Sequence, residues 1–486
     1  MPCWVYIGGR DGCVKKLAVI LLGNVFLSGC FVKSPESSIG KVSGKSPSEW
    51  SANKYAKSGV DTNWVSRFDD RKLDLLVGEA LKSNYDMRIA AERVRRAGEA
   101  ARVSSAASLP QMFFSSDSNR RKNIFVGFPF QGSQISEVHG VDMRIDWEPD
   151  IWGAARAGKS AALAEWQAGG QDYRAARASL AAQVCKAWFA LAEGNQQVAL
   201  AKEALLIRKK TETSVRERFE GDLRAQGGSA SQLRLAQTDV AAAKAELSAN
   251  QGAVETARRQ LEVLVGRYPA GKLTGKVRLP DISATPPAGM PSELLLRRPD
   301  IIAAERRYSA TAKRIKEAKL TLFPSFKLTG SSGTTTDSLS KIISSDFGVW
   351  SYGANVSYAL LTGGRVYSEI RVRKSNQREA LASLQKTVLN AFGEVEQALA
   401  SERWLSRRES EMREALKLAR DASRAAENDY RDGNGDVLTL FTAQTRRIQL
   451  ESQYVSLRRL RLTNRIDLHL ALGGGFKTIS PNKTRP

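Results

Sequence analysis

A segment of about 119 residues without proline, from residue 150 to residue 268, constrains the fold of this chain more than any other feature. Ala, Leu, Arg, Glu and Gln dominate the segment, and they favour the α-helix. The seven residues before Glu148 read VDMRIDW and alternate between apolar and polar. An extended chain would place on one face Val141, Met143, Ile145 and Trp147, and on the other Asp142, Arg144 and Asp146. The pattern predicts a two-faced strand that leads into a helix longer than a globular core needs.

The N-terminal residues predict export from the cytoplasm. Two lysines precede the apolar run LAVILLGNVFL, whose length of about eleven residues is too short to span a bilayer and typical of a signal peptide. The run ends in LSGC, which resembles the bacterial lipoprotein cleavage motif, with Cys30 as the acylated residue. We therefore expect a signal peptide over residues 1–29, with translation beginning at Val14, and a lipidated N-terminal segment over residues 30–75.

Residues that carry catalysis or bind metals are sparse. Beyond Cys30, the expected mature chain contains only Cys185, which lies in an Ala-rich helical stretch. His139 and His469 have no carboxylate or cysteine at metal-ligand spacing beside them. The sequence contains no nucleophile elbow, phosphate-binding loop or dinucleotide fingerprint. We expect no enzyme activity, no metal and no cofactor apart from the covalent lipid on Cys30.

The formal charge of +23 suggests an anionic partner. The basic residues, however, occur as scattered pairs rather than as one dense block, which is typical of solvated helix faces. Export by a signal peptide also argues against a nucleic-acid partner. We expect the chain to bind no nucleic acid.

An internal repeat divides the chain. The sequence IAAER at Ile89–Arg93 returns at Ile302–Arg306, and the alternating pattern before the first long helix returns as VWSYGANVSYALL from residue 349. In each half a short helix, two strands and two long helices follow one another. The first repeat is expected over residues 76–270, with strands near 110–118 and 139–147 and long helices over 150–266. A linker over 271–290 leads to the second repeat, 291–475, with strands near 324–332 and 349–358 and long helices over 363–472. Residues 476–486 form a C-terminal tail.

Four two-faced strands in an exported lipoprotein indicate a transmembrane β-barrel. Four strands cannot close a barrel, and two chains would give eight strands around an interior filled by side chains, whereas three chains give twelve and leave an aqueous lumen. Helices of about 69 residues would continue the wall for about 100 Å. The predicted fold class is an α+β membrane channel: a trimeric, twelve-stranded transmembrane β-barrel, four strands per chain, continued by a long periplasmic α-helical barrel.

Several motifs together carry a resemblance to a known family: WEPDIWG after the first pair of strands, LLTGGR after the second, RRPDIIAAERR at the start of the second repeat, and YRDGNGDVLTLFTAQ at the last helical turn. Over about residues 60–475 the chain resembles the outer-membrane efflux factor family, the TolC-like channel tunnels, and within it the lipoprotein branch that serves RND-type pumps. The motif RRPDIIAAE and the glycine turn are specific in combination.

The resemblance implies a homotrimer whose barrel lies in the lipid of the bacterial outer membrane and whose helices cross the periplasm to a periplasmic adaptor and an inner-membrane pump. The predicted function is a passive exit duct for small molecules and drugs, driven by that pump. Two alternatives stay open at this point: a type I secretion duct for polypeptides, and a lipid-anchored periplasmic coiled-coil scaffold without a pore.

The resemblance also identifies candidates for closing the periplasmic end. In the family, the matching Tyr-Arg pair takes part in contacts that hold the aperture shut, so Tyr430 and Arg431 are candidates here. Gly433 allows a tight reversal. A trimer would place three copies of Asp432 and of Asp436 around its axis, where like charges repel unless cations or arginines offset them. The alternative is that these aspartates cap helices at an exposed turn.

Three positions depart from the family pattern. Thr362 and Thr442 stand where the family usually has Asp, and Arg234 stands where an acid is common. Together with the positive charge, these departures favour passage of anionic or amphipathic substrates.

Overall fold

The computed structural model describes residues 50–52, 64–125, 132–220, 229–275, 278–282 and 291–474. The expected signal peptide and Cys30 lie outside these residues, as do most of the expected N-terminal segment and the C-terminal tail.

The described chain consists of two halves with the same order of elements. The first half contains α1 (Arg71–Ser83), α2 (Tyr85–Ala106), β1 (Gln111–Phe125), β2 (Gly132–Trp147), α3 (Ala154–Glu220) and α4 (Ala230–Val265). The second half contains α5 (Pro291–Arg297), α6 (Pro299–Leu320), β3 (Ser325–Thr336), β4 (Gly348–Ser357), α7 (Arg365–Arg431) and α8 (Val437–Ala471).

Three helices of each half have nearly the same length as their counterparts in the other half. Helices α3 and α7 both contain 67 residues, and α2 and α6 both contain 22. Helices α4 and α8 contain 36 and 35 residues. The sequence IAAER begins at the fifth residue of α2 and at the fourth residue of α6.

The strands form one antiparallel sheet in the order β1-β2-β3-β4. The ladder between β1 and β2 runs from Gln111 opposite Asp146 to Phe125 opposite Gly132, so this hairpin is longer than the expected segments 110–118 and 139–147. The alternation of apolar and polar residues stops after Ser116, whereas backbone hydrogen bonds between paired strands do not depend on apolar side chains. The sequence pattern therefore located the strands but not their far ends.

Short capped helices fix the chain ahead of the first strand. Asp70 accepts hydrogen bonds from the backbone N–H groups of Lys72 (3.1 Å) and Leu73 (3.3 Å), which caps α1. Its second carboxylate oxygen accepts a hydrogen bond from the indole N–H of Trp188 at 2.8 Å. One side chain thus starts α1 and ties it to the long helix α3.

The main hydrophobic core lies where α1, α3, α4 and α8 meet. Its fully buried side chains include Leu73, Trp188, Phe189, Leu261 and Leu462. Burying each of these side chains contributes roughly 1.5–3 kcal/mol. Apolar residues spaced three or four apart on α3 and α7 supply part of this core and of a second cluster on α7. Six of them are buried: Leu180, Val184, Leu191, Val388, Val395 and Leu399. Ala187 and Phe392 are partly buried.

Buried ion pairs join α7 to α8. Glu402, which is 4% exposed, accepts hydrogen bonds from Arg461 at 2.9 Å and from Arg465 at 2.7 Å. Arg461 also donates to Glu409 at 2.7 Å. Because an unpaired buried charge is strongly destabilising, a shift of α8 along α7 that broke these pairs would be costly.

No helix within the described residues is both long enough and apolar enough to cross a bilayer.

Candidate functional site

The register of the sheet collects the apolar positions of all four strands on one face. Residues that pair directly across two strands share a face of the sheet. On β1 and β2, Met112 pairs with Ile145, and Phe114 pairs with Met143. The same face continues across the sheet through Leu328 opposite Trp147 on β3, and through Val356 opposite Phe326 and Ala354 opposite Leu328 on β4. We call this surface the apolar face. It includes the large side chains Met112, Phe114, Met143, Ile145, Trp350, Tyr352 and Val356, each at least 40% exposed in the single chain.

The opposite surface, here called the polar face, carries charge and hydroxyl groups. Arg144 pairs with Asp146 at 3.2 Å, and Lys327 of β3 approaches the same carboxylate at 4.0 Å. Asp142 accepts a short hydrogen bond from the hydroxyl of Ser115. The hydroxyl groups of Ser331 and Ser351 lie 2.8 Å apart across β3 and β4, at the level of Arg144. The sheet therefore has one apolar face and one polar face.

Both outer strands of the sheet have one unpaired edge in the described chain. Strand β1 pairs only with β2, and β4 pairs only with β3. An exposed strand edge is a template for pairing with another chain. The protomer therefore supplies two open edges, one on each side of its four strands.

The five expected aperture residues lie together: Tyr430 and Arg431 end α7, and Asp432, Gly433 and Asp436 lie in the turn before α8. Gly433 has φ +80° and donates its N–H to the carbonyl of Tyr430 at 3.3 Å. A Cβ atom at Gly435 would lie 2.8 Å from the Tyr430 nitrogen and 2.9 Å from the Asp429 carbonyl carbon, so the close reversal requires glycine at that position. Asp432 ends α7 and is exposed.

Asp436 caps α8. Its carboxylate accepts hydrogen bonds from the backbone N–H groups of Leu438 at 3.0 Å and Thr439 at 3.3 Å. This is the capping role that the sequence left open as the alternative to gating. An exposed Arg431 lies 3.5 Å from Glu427 within α7, and such surface pairs contribute little to stability.

Tyr430 is held by a residue that sequence reasoning missed. Arg218, near the end of α3, donates a hydrogen bond to the Tyr430 carbonyl at 2.6 Å and stacks its guanidinium over the Tyr430 ring, 4.0 Å from the centroid. Tyr430 is 7% exposed and packs with Val215, Ala236 and other residues of a small apolar cluster. Burial raises the pKa of the Tyr430 phenol; Arg218 opposes this rise, whereas Asp436 adds to it. The phenol stays neutral at physiological pH.

Arg208 of α3 is a second residue that sequence reasoning missed, and it links α3 to α4 and α8. It forms an ion pair with Asp239 of α4 at 3.2 Å and donates hydrogen bonds to Gln444 at 3.3 Å and to the Thr445 hydroxyl, both on α8. Burial lowers the pKa of Arg208, and Asp239 opposes this effect. Gln444 is buried and is therefore satisfied by a polar contact with Arg208.

Two other residues singled out by the sequence, Arg234 and Cys185, lie in the long helices α4 and α3. The connection between α3 and α4, residues 221–228, lies outside the described residues. Arg234 donates a hydrogen bond to Gln237 at 3.1 Å within α4. Cys185 is buried in the main core, where burial raises the pKa of its thiol, and Asp74 and Asp70 add to the rise. Among the described residues, no group of three or more His, Cys, Asp or Glu side chains could hold a metal ion.

Comparison with known proteins identifies the family. Residues 76–267 and 290–474 match the family model described as outer membrane efflux protein. The two segments cover most of the chain, and the chain belongs to the outer membrane efflux protein family. It has the role that this membership defines, an outer-membrane exit duct in efflux.

Curated relatives match nearly their whole length. The outer membrane protein OprJ of Pseudomonas aeruginosa is 28% identical over 435 residues, which cover 88% of this chain and 90% of OprJ. The pyoverdine export outer membrane protein OpmQ of Pseudomonas putida is 26% identical and covers 90% of this chain and 93% of its own. The probable outer membrane lipoprotein SilC of Salmonella typhimurium is 24% identical and covers 95% and 99%.

Solved structures share the fold. The outer-membrane channel OprN has a TM-score of 0.81 at 26% identity and covers 92% of this chain and 99% of its own. The open state of the MtrE channel of Neisseria gonorrhoeae has a TM-score of 0.79 at 26% identity and covers 92% and 98%. The likeness to these channels confirms the predicted combination of four strands with long helices.

Proposed function

We propose that this chain is one third of a passive exit duct, in which three copies close a twelve-stranded barrel in the outer membrane. The observation that carries the proposal is the sheet with an exposed apolar face and two open edges. Lipid covers the apolar face, and the edge of β1 in one protomer pairs with the edge of β4 in the next. Twelve strands leave an aqueous lumen, and eight do not.

The long helices extend the duct through the periplasm. At 1.5 Å per residue, α3 and α7, with 67 residues each, span about 100 Å. At their far end lies the turn that follows Tyr430. We place the closing aperture there, with Tyr430, Arg431, Asp432, Gly433 and Asp436 around it, so that substrates enter at the periplasmic end and leave through the sheet.

A periplasmic adaptor and an inner-membrane pump supply substrate and energy in this proposal. The resemblance to the branch serving RND-type pumps favours a proton-driven pump. The names of the relatives cover different cargoes: OpmQ is named for pyoverdine export, and relatives from Pseudomonas putida are named for antibiotic and toluene efflux. We propose small molecules as the substrate class, with anionic or amphipathic ones favoured by the positive charge of the chain.

A lipid on Cys30 would anchor each protomer. The support is the LSGC sequence after an apolar run, together with the relative SilC, which is named a probable outer membrane lipoprotein. Labelling cells with radioactive palmitate tests it: the chain takes up label, Cys30→Ser abolishes the label, and Cys185→Ala, the matched control, retains it. Absence of label from the unmodified chain would exclude the anchor.

The closure of the ring is tested by crosslinking in a Cys185→Ala background. Phe114→Cys on β1 is combined with single cysteines at apolar-face positions of β4 between residues 350 and 356. In a closed ring of three, one register gives disulfide-linked dimers and trimers and no larger species. Phe113→Cys lies on the polar face of the same strand and serves as the control, because it should not crosslink to these cysteines. A ladder beyond three chains, or no crosslink at any register, would contradict the trimeric barrel.

A further inference from the structure

The hairpin of β1 and β2 extends beyond the rest of the sheet. The ladder between β2 and β3 ends where His139 pairs with Thr336, and β4 begins opposite Thr334. From Asn119 opposite Val138 to Phe125 opposite Gly132, the hairpin has no further neighbour among the described strands. Seven residues in each strand project about 20 Å past the shared sheet.

The apolar face changes its chemistry at the start of this projection. Up to Val141 its side chains are mostly apolar. Beyond Val141 a group of polar and charged side chains interrupts the apolar face, and the exposed Ile135 and Ile124 lie further out on the hairpin. Continuing the alternation along β1 from Phe114 and along β2 from Val141 gives on this face Ser118, Arg120 and Lys122, with His139 and Glu137 opposite the first two. The first charged pair on this face, Arg120 and Glu137, lies two same-face residue pairs beyond Val141, where a barrel wall would pass from hydrocarbon to headgroups.

The polar side chains at this boundary form a connected group. Arg120 pairs with Glu137 at 2.8 Å, with Arg120 71% exposed. His139 hydrogen-bonds through Nδ1 to the Ser118 hydroxyl at 2.8 Å, and its Nε2 lies 3.9 Å from Glu137. Lys122 is exposed and lies opposite Ile135. Two permanent cations against one carboxylate leave this group, here called the rim cluster, with an excess of positive charge.

If the barrel of the proposed function forms, the position of the rim cluster indicates which groups of the membrane it contacts. All four strands join the helices at the opposite end of the sheet, at residues 111, 147, 325 and 357. The projecting hairpin therefore lies on the outer side of the membrane. On the lipid-facing side of a barrel, the groups immediately above the hydrocarbon are lipid headgroups, and the negative groups of lipid headgroups are phosphates.

We propose that the rim cluster binds the phosphate groups of anionic lipids in the outer leaflet. Arg120 offers a planar set of N–H donors that matches phosphate oxygens, and Glu137 orients it. Lys122 adds a second, mobile cation one step further from the hydrocarbon. Arg121, between them in sequence, lies on the polar face of the hairpin and takes no part.

The test measures lipid binding to the full-length protein in detergent by native mass spectrometry. The probe is diphosphoryl lipid A, compared with the same lipid after removal of both phosphates. The double variant R120Q/K122Q should lower the affinity for the phosphorylated probe about 10-fold or more, because each basic residue near an anionic surface contributes roughly 5-fold. Glu137→Gln should raise the affinity, since it removes the carboxylate that competes for Arg120.

Arg121→Gln is the matched control, because it removes one charge from the same strand but from the other face. It should change the affinity less than 2-fold. Equal losses for Lys122→Gln and Arg121→Gln would overturn the proposal, and so would equal affinity for the phosphorylated and dephosphorylated probes. Planar-bilayer conductance of the same preparations separates this outcome from the proposed function: a conducting protein without phosphate preference refutes the rim cluster alone, whereas a non-conducting one refutes the duct.

Discussion

The guanidinium of Arg218 lies 4.0 Å from the centre of the Tyr430 ring and donates a hydrogen bond to the Tyr430 carbonyl at 2.6 Å. The contact joins the first pair of long helices to the second at the last turn of α7. It satisfies a carbonyl at the helix C-terminus, where backbone acceptors lack partners within the helix, and it places a positive charge at the negative end of the helix dipole.

Arg218→Ala should loosen the turn between α7 and α8. A partly buried cation–π contact contributes about 0.5–2 kcal/mol, so we expect amide exchange of residues 430–440 to accelerate by roughly 2- to 30-fold in the hydrogen-exchange limit that reports opening equilibria. Arg216→Ala is the control, because among the described residues Arg216 pairs with Glu212 and Glu220 of its own helix and not with α7. The same acceleration in both variants would show that the contact with Tyr430 is unimportant.

Gly435 and Gly433 should tolerate different substitutions. Gly433→Asn places a residue that accepts positive φ in a position with open space, so the turn should keep its structure. Gly435→Ala brings a Cβ atom within 3 Å of two backbone atoms and should strain the turn by about 1–3 kcal/mol. Limited trypsin digestion at the exposed Arg431 measures opening. Faster cleavage in the Gly433 variant than in the Gly435 variant would contradict the geometry.

Two substitutions of Asp436 distinguish a helix-capping role from a gating role. Asp436→Asn keeps a side-chain oxygen for the two backbone N–H groups and removes the charge, whereas Asp436→Ala removes both. If the charge gates the pore, both variants should raise single-channel conductance and weaken its dependence on divalent cations. If Asp436 only caps α8, Asp436→Asn should conduct as the unmodified protein, and Asp436→Ala should lose about 0.5–2 kcal/mol of helix stability. Asp432→Ala and Arg431→Ala, which remove exposed charges without a cap, complete the series; unchanged currents in all four variants would leave the turn without a gating role.

The two faces of the sheet should respond differently to charge. Ile145→Arg or Val356→Arg on the apolar face should impair membrane insertion by about 2–4 kcal/mol if the residue lies near the middle of the bilayer. Asp146→Asn and Asn355→Asp on the polar face should leave assembly intact and change ion selectivity, because they alter lumen charge. Insertion is measured as the heat-modifiable trimer in outer-membrane fractions. Equal losses from both faces would refute the assignment of lipid and lumen.

Much of the fold was predictable because two periodicities carry it. The period of two in VDMRIDW and in the residues after 349 located β2 and β4, and the proline-free composition after Pro149 located the long helices. The far half of the β1–β2 hairpin was not predictable from alternation, since its few apolar residues, such as Ile124, Ile135 and Val138, are isolated and fall on both faces. Only the pairing of Asn119 with Val138 and beyond revealed it.

The turn between α7 and α8 was predictable in position but not in its contacts. Gly433 and Asp436 are local signals, since positive φ and an N-cap depend on a few consecutive residues. Arg218 and Arg208 looked like members of a solvated helix face. Their burial depends on how α3 rotates against α7 and α8, and that rotation follows from packing over the whole length of the helices rather than from neighbouring residues.

Single-channel conductance of the purified full-length protein in planar lipid bilayers tests the central claim most directly. The proposed structure predicts stable, discrete conductance steps from detergent-resistant trimers isolated from outer membranes, and currents that change in Asp146→Asn and Arg218→Ala but not in Arg216→Ala. A protein that inserts no pore under these conditions, or that purifies as a monomer without conductance, would contradict the exit duct.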